Sequence, residues 1–175
     1  MDQVSTRRGV PGDAEAIAGI HVRGWRWAYQ GLMPDDLLHS LSVEERAQSW
    51  RRGLERQAAG ESQARTWVAE RDGVILGVTS AGPPQEEAPP GTGELYLIYV
   101  DPAAVETGVG RTLMAGAMED LHSAGFEVAI LWVLETNDRA RRFYERGGWR
   151  TDGAVKTEVF GGAQLTEVRY RVDLA

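Results

Sequence analysis

The chain has 175 residues, of which 42% are hydrophobic and 26% are charged, and this composition predicts a single globular domain over residues 1–175. It has no cysteine and only three scattered histidines, which excludes disulfides, cysteine nucleophiles and the usual zinc sites. A net charge of −7 opposes binding to nucleic acid and to anionic membranes. Because no apolar segment is long enough to span a bilayer and no secretory signal is recognisable, we expect a cytoplasmic protein.

The first half of the chain predicts a short strand, two helices and a hairpin. Apolar residues at helical spacing follow Asp13, and Gly31 and Pro34 close that helix. A serine followed three residues later by a glutamate, Ser42 and Glu45, is typical of a capping box before a second helix. An Asp-Gly pair at 72–73 between two apolar runs predicts a hairpin. The predicted elements are a strand over 4–8, helices over 14–28 and 43–57, and strands over 66–70 and 74–79.

The second half predicts strands and helices in alternation, ending in a hairpin. A polar connection rich in proline and glycine, residues 82–93, predicts a loop that covers a site rather than a domain boundary. Together with the first half, this order predicts a mixed α+β sheet covered by helices. The predicted elements are strands over 94–100 and 127–133, helices over 108–123 and 137–146, a short strand over 149–151, and a hairpin of 155–160 and 165–172 around Gly161-Gly162.

Gly108 and Gly110 begin the helix that follows the strand over 94–100. Free backbone N–H groups at such a helix start could bind a phosphate, although the same pattern also forms ordinary tight turns. The dinucleotide fingerprint does not fit, because its third glycine would fall at Leu113, and no P-loop lysine follows. A run of arginines in the last helix suits either a local anion site or a solvated helix face. Its members are Arg139, Arg141, Arg142, Arg146 and Arg150.

A second set of residues, behind the strand over 127–133, completes a recognisable arrangement. Together with Gly108-Val109-Gly110 the chain resembles the GNAT superfamily of N-acetyltransferases over nearly its full length, and a small bacterial branch of it in particular. The departure from the family pattern is Val105, where the family has Arg or Gln, followed by Glu106. The matching residues are Trp25 to Gly31, Leu131-Trp132-Val133, Asn137, Ala140, Phe143-Tyr144, Gly148-Trp149 and Glu167 to Tyr170.

The resemblance implies an α/β/α sandwich with a mixed, mostly antiparallel sheet of about six or seven strands and helices on both faces. It also implies that strands 4 and 5 splay apart to admit acetyl-CoA (acetyl-coenzyme A), whose amides satisfy the backbone groups left unpaired there. Val105 and Glu106 would weaken this binding without abolishing it, and Asn137 is either a helix cap alone or a cap that also reaches the cofactor. The implied cofactor-binding residues are Ile98, Tyr99, Val100, Glu106, Thr107, Gly108, Val109, Gly110, Arg111, Asn137, Arg142 and Tyr144.

The resemblance also implies catalytic roles for two residues. Tyr144 would protonate the departing thiolate; the alternative for a tyrosine beside Phe143 is a core aromatic residue. Glu94 would accept the proton of the attacking amine, although strand ends commonly carry a carboxylate with no such role. Strand alternation predicts that Glu94, Tyr96 and Ile98 lie on one face.

The acceptor pocket implied by the resemblance borders the first helix. Trp25 and Tyr29 are one helical turn apart, so they share a face that either receives the acceptor or packs on the sheet, and Tyr96 joins them as a substrate-binding residue. We therefore expect direct acetyl transfer from acetyl-CoA to the primary amine of a small molecule. The alternatives are a protein lysine or N-terminal acetyltransferase and a non-catalytic acyl-CoA-binding module. Homodimers are common in this superfamily, so a dimer is compatible with the resemblance.

Overall fold

A computed structural model describes residues 4–174 of the chain. One seven-stranded sheet lies at its centre, in the order β1-β2-β3-β4-β5-β7-β6. The strands are β1 (Ser5–Arg8), β2 (Arg65–Arg71), β3 (Val74–Gly82), β4 (Thr92–Val100), β5 (Val128–Leu134), β6 (Arg150–Phe160) and β7 (Ala163–Asp173). The helices are α1 (Ala14–Ala28), α2 (Asp35–His39), α3 (Val43–Ala58), α4 (Val109–Ser123) and α5 (Asp138–Arg146), with 3₁₀ turns at Pro11–Asp13 and Pro102–Ala104.

Local signals in the sequence account for most of these boundaries. The Ser42 hydroxyl accepts the Glu45 N–H at 3.2 Å and caps α3; this bond is the serine half of the predicted capping box. Both predicted hairpins form with a two-residue turn in which each central residue has a positive φ, which suits the right-handed twist of the strands. These residues are Asp72 (φ 52°) and Gly73 (φ 76°) in one turn, and Gly161 (φ 56°) and Gly162 (φ 82°) in the other.

Helices cover both faces of the sheet, as expected for this mixed fold. Ile17 of α1 and Leu54 of α3 pack against Val68 and Val78 on one face. On the other face α4 and α5 bury apolar residues against β4, β5 and β7. Among the helices of residues 4–174, none combines the length and the apolar character needed to cross a bilayer.

The join between β4 and β5 is short, and it is the one parallel pairing in the sheet. Only the segment 92–94 of β4 pairs with β5, against 128–130. Beyond Glu94, β4 continues to Val100 and β5 continues to Leu134 without pairing to each other. This confirms the predicted splay and leaves one edge of β4 open.

A β-bulge changes the predicted orientation of side chains along β4. Leu95 pairs with Ala81 and Leu97 pairs with Ser80, so Tyr96 has no partner on β3. The alternation of faces therefore shifts by one residue at this point. Ile98 packs towards α4, on the face opposite to that of Glu94, and the prediction that both share a face is wrong.

Two other boundaries differ from the sequence-based expectation. The segments 149–151 and 155–160 were predicted as separate strands, but they belong to one strand, β6, which is irregular between Thr151 and Val155. The loop predicted over 82–93 is shorter at both ends, because Gly82 of β3 pairs with Glu94 of β4 and so extends the ladder.

Candidate active site

A cleft of about 1140 Å³ occupies the gap that opens between β4 and β5. Its walls come from the C-terminal half of α1, the free parts of β4 and β5, the beginning of α4, the length of α5, and the hairpin of β6 and β7. The opening of the sheet and the cleft are thus one feature, since the strands diverge where the cleft begins.

The start of α4 offers backbone donors to this cleft. Gly108 has φ 93°, a conformation that other residues adopt only with strain, and it places the chain at the helix entrance. The first helical hydrogen bond runs from the Thr112 N–H to the Gly108 carbonyl at 3.0 Å. A β-carbon at Gly110 would lie 3.5 Å from atoms of Phe143 and Val100, so the helix approaches these residues closely. The N–H groups of the first turn therefore face the cleft without internal acceptors, as at other anion-binding helix starts.

Arginine side chains also line the cleft, and Arg111 and Arg139 lie beside this helix start. Four of them line it, and within residues 4–174 none of the four donates a hydrogen bond to another protein group. Glu106 also lies here, but its side chain is 89% exposed and extends into solvent. Three of the five members of the predicted arginine run are in this group, whereas Arg141 bonds to Tyr170 and Arg150 is exposed elsewhere. The four lining arginines are Arg111, Arg139, Arg142 and Arg146.

Most of the predicted cofactor-binding residues meet in the cleft. Two do not reach its wall: the Thr107 hydroxyl donates to the Ala104 carbonyl at 2.6 Å, and Val109 is fully buried against the sheet. Their contribution would come from the main chain. The Asn137 side chain accepts the Ala140 N–H at 3.1 Å, so Asn137 caps α5. It also lines the cleft, where the predicted contact with the cofactor would be made. The residues on the wall are Ile98, Tyr99, Val100, Glu106, Gly108, Gly110, Arg111, Asn137, Arg142 and Tyr144.

Tyr144 of α5 also lines the cleft. Its side chain is 9% exposed, and its hydroxyl has no hydrogen-bond partner among the described residues. The ring packs against Phe143 and Trp149, which fixes its orientation. Burial raises the pKa of Tyr144 well above its ordinary value, with a further contribution from Tyr99. The phenol therefore keeps its proton at neutral pH.

Comparison with known proteins places this arrangement in a family. The model of the acetyltransferase (GNAT) family matches residues 24–149, which contain the entrance to α4, Tyr144 and the splayed strands. The chain belongs to the GNAT family of acetyltransferases. GNAT relatives include the protein named Uncharacterized N-acetyltransferase YuaI of Bacillus subtilis, which is 34% identical over 77% of this chain and 73% of its own length.

Two further comparisons agree. The protein named Probable N-acetyltransferase Rv2775 of Mycobacterium tuberculosis is 31% identical over 97% of this chain and 93% of its own length. The GNAT fold also matches the structure of the PaiA N-acetyltransferase of Thermoplasma acidophilum in complex with coenzyme A, with a TM-score of 0.72 and 18% identity, covering 95% of this chain and 98% of that one. The last comparison supports the fold.

The opposite end of the GNAT cleft is aromatic. The three predicted substrate-binding residues, Trp25, Tyr29 and Tyr96, all line it. The rings of Trp25 and Tyr29 meet edge to face at 5.1 Å, and Phe160 of β6 lies 5.7 Å from Trp25. Sequence reasoning missed Phe160, because nothing in the local pattern of the closing hairpin connects it to α1.

Two carboxylates, Glu158 and Glu167, line this end and were also missed as site residues. Burial raises the pKa of Glu167, and the nearby Lys156 ammonium, 3.7 Å away, acts in the opposite direction. Lys156 also pairs with Glu158 at 3.2 Å, so the acids outnumber the base. Strand alternation places Glu167 on the same face of β7 as Leu165, and both residues line the cleft. This alternation is the sequence signal that could have connected the two residues.

Glu94, the predicted base, is not part of the cleft wall. It is 6% exposed, and its carboxylate accepts the Gln85 N–H at 2.7 Å. Burial raises its pKa, while the Gln85 N–H and Lys156 lower it. Tyr96 lies on the wall, and burial together with the charge of Glu94 raises the pKa of Tyr96 to about 12. The carboxylate thus lies close to the cleft without opening into it.

Proposed function

We propose that this GNAT protein transfers an acetyl group from acetyl-CoA to the primary amine of a small molecule by direct attack. The observation that carries the proposal is the composition of the cleft: arginines and free helix N–H groups at the start of α4, carboxylates and aromatic rings from α1 and the closing hairpin, and a protonated Tyr144 on the same wall. An anionic donor and a cationic acceptor would each enter from the end of opposite charge.

The residues at the basic end fit the cofactor. The N–H groups from Gly108 to Arg111 and the lining arginines suit a pyrophosphate. The unpaired edge of β4 at Ile98, Tyr99 and Val100 suits the amides of a pantetheine arm, because it offers backbone groups that need partners. When bound, acetyl-CoA supplies an activated thioester. A backbone N–H at Ile98 or Val100 would polarise its carbonyl.

Proton transfer falls to two side chains in this proposal. Tyr144 donates to the departing sulfur, since its raised pKa keeps the phenol protonated and its hydroxyl is not engaged elsewhere. Glu94 takes the proton of the attacking amine, and a water between the carboxylate and the cleft carries it, because Glu94 does not reach the wall. Its raised pKa makes it a better base for this task than an exposed glutamate.

The acidic end supports an amine as the acceptor. A primary amine is mostly protonated at neutral pH, so it arrives as a cation. Glu167 can hold that ammonium, and the rings of Trp25 and Tyr29 can pack on it or on its carbon chain. The cleft volume and its aromatic lining favour a compact acceptor over a protein segment.

The test combines binding with turnover. Calorimetry should show that the protein binds acetyl-CoA, and a thiol-release assay should show turnover with members of a panel of primary amines that includes polyamines and aminoglycosides. The matched controls are the corresponding alcohols, which should give no thiol. Turnover confined to lysine peptides or protein N-termini would point to a protein acetyltransferase. Binding without thiol release from any amine would point to a non-catalytic acyl-CoA module and would refute the proposal.

A further inference from the structure

One arginine of the cleft is held differently from the other three. The guanidinium of Arg139, in the first turn of α5, lies over the ring of Trp27 with 3.8 Å between its central carbon and the ring centroid. A guanidinium nitrogen of Arg139 is also 3.9 Å from a carboxylate oxygen of Glu106, in the loop before α4. Three elements, α1, α5 and this loop, therefore meet through one side chain at the basic end of the cleft.

The two contacts of Arg139 differ in strength. The pair with Glu106 is at the outer limit of an ion pair and involves side chains that are 47% and 89% exposed, so it contributes little. The contact with Trp27 covers the flat face of the guanidinium and leaves its edge, with five N–H donors, available. Arg139 is thus oriented in advance but has no hydrogen-bonding partner within residues 4–174.

The position of Glu106 indicates which ligand would take these donors. Glu106 lies two residues before Gly108, where the chain turns into the free N–H groups of α4, and the preceding side chain, Val105, carries no charge. A guanidinium within reach of Glu106 is therefore beside the place where a pyrophosphate would bind. Arg139 can supply, from α5, the cation that the loop itself lacks.

We propose that Arg139 exchanges Glu106 for the pyrophosphate of coenzyme A while it stays on Trp27, and that Glu106 competes with the cofactor for this arginine. The inference rests on the proposed function, because it takes acetyl-CoA as the ligand. A bidentate contact between guanidinium and phosphate is much stronger than the long exposed pair that it replaces. The exchange explains how a cleft with Val105 and Glu106 at its entrance still binds a polyanion.

The experiment measures affinity by calorimetry for coenzyme A, for 3′-dephospho-coenzyme A, for 4′-phosphopantetheine, and for pantetheine, which lacks the pyrophosphate and the whole 3′-phosphoadenosine. We expect Arg139→Ala to weaken the binding of coenzyme A and of dephospho-coenzyme A by about 10-fold, to weaken that of 4′-phosphopantetheine, which has a phosphate but no adenosine, and to leave pantetheine within about 2-fold. Arg139→Lys keeps the positive charge but removes the planar guanidinium with its paired N–H donors, so it should give an intermediate loss of affinity. The matched control is Arg150→Ala, which removes an exposed arginine outside the cleft and should bind all four as wild type does.

Substitution of Glu106 tests the competition. Glu106→Gln should tighten the binding of coenzyme A by about 3-fold, because the arginine is released, and this gain should shrink when Arg139→Ala is also present. Trp27→Leu should lose affinity for the phosphate-bearing ligands only, by less than Arg139→Ala does, since the guanidinium then has to be ordered on binding.

Three results would overturn the inference while the wild type binds coenzyme A: unchanged affinity of Arg139→Ala, an equal loss with pantetheine, or a loss with coenzyme A alone. The last would place the guanidinium on the 3′-phosphate instead of the pyrophosphate. Failure of the wild type to bind any of the four ligands would instead overturn the proposed function, and this inference with it.

Discussion

The two ends of the cleft are built in different ways. The end proposed to bind the cofactor is built largely from main chain, at the start of α4 and along the free edge of β4, with arginines beside it. The end proposed to bind the acceptor is built from side chains that come from α1, β6 and β7, and its charged groups are mainly acidic. Main-chain donors persist whatever the side chains are, whereas a wall of side chains changes with each substitution. The first end is thus suited to a constant ligand and the second to a particular one.

Removal of the Tyr144 hydroxyl should have the largest effect on turnover, because this group serves the reaction between the two bound substrates. We expect Tyr144→Phe to lower kcat by about 100-fold or more, because general acid catalysis of the leaving thiolate is lost. Affinity for acetyl-CoA should stay within about 2-fold, since the ring and its packing remain. Steady-state kinetics at saturating substrates and calorimetry measure the two quantities.

The control for Tyr144→Phe removes a hydroxyl outside the cleft. The Tyr170 hydroxyl bonds to Arg141 and Glu145, so Tyr170→Phe should lower thermal stability but leave kcat unchanged. Equal turnover in Tyr144→Phe and wild type would contradict the role of proton donor.

The second prediction concerns the pH dependence at the acceptor end. Glu94→Gln should lower kcat/KM by about 10- to 100-fold near pH 6 to 7, where the acceptor amine is protonated and needs a base. The difference should narrow at high pH, because the amine then loses its proton to solvent. Since burial raises the pKa of Glu94, wild-type activity should itself fall once the pH drops below that pKa. A wild-type and variant profile that run parallel at every pH would show that Glu94 is not the base.

The third prediction concerns Glu167 and distinguishes a role in binding the acceptor from a role in the chemical step; the expected effect is smaller. Glu167→Gln should raise KM for the amine by about 10-fold, because one charge-assisted contact with the ammonium is lost, with little change in kcat or in affinity for acetyl-CoA. Glu119→Gln, an exposed change on α4 away from the cleft, is the matched control. A fall in kcat with an unchanged KM would assign Glu167 to the chemistry instead of to binding.

The smallest effect concerns stability and serves to interpret the pH profiles. His21 of α1 accepts the Trp50 indole N–H at 3.2 Å and stacks on Tyr99 with ring centroids 4.6 Å apart. Burial lowers the pKa of His21 from 6.5 to about 4. Protonation therefore favours the unfolded chain, so this contribution to stability is complete above about pH 6.5 and is lost progressively as the pH falls towards 4.

Between pH 6.5 and 5.5 the loss should be about 1 kcal/mol in the free energy of unfolding, measured by urea denaturation. His21→Gln should flatten this dependence, whereas the exposed His122→Gln should retain it. If the acidic limb of the activity profile follows the denaturation curve in both wild type and His21→Gln, that limb reflects unfolding and not Glu94.

The elements around the start of α4 could be predicted from the sequence because their signals are local, while the roles of their residues were implied by the resemblance. Gly108 and Gly110 stand at the entrance of a helix that follows a strand, and the run from Asn137 to Tyr144 forms one helix behind another strand. Hairpin turns and helix caps were predictable for the same reason, since their residues are neighbours in the chain.

The acceptor end depends on contacts that a linear pattern does not contain. Trp25 and Phe160 are 135 positions apart in sequence but adjacent in space. The bulge at Tyr96 breaks the two-residue period, so the orientation of Ile98 could not be read from alternation, and the exclusion of Glu94 from the wall follows from the loop that donates the Gln85 N–H. Such features are set by tertiary packing and by strand register.

The sheet consists of two parts, or leaves, which are joined only by the three residue pairs between β4 and β5. The leaf of β1 to β4 carries the open strand edge, and the leaf of β5, β7 and β6 carries Glu158, Phe160 and Glu167. Substitutions on the second leaf can reshape the acceptor wall while the hydrogen-bonding pattern of the first is preserved. A fold divided in this way lets acceptor preference diverge between descendants of one ancestor without a new means of holding the acyl donor.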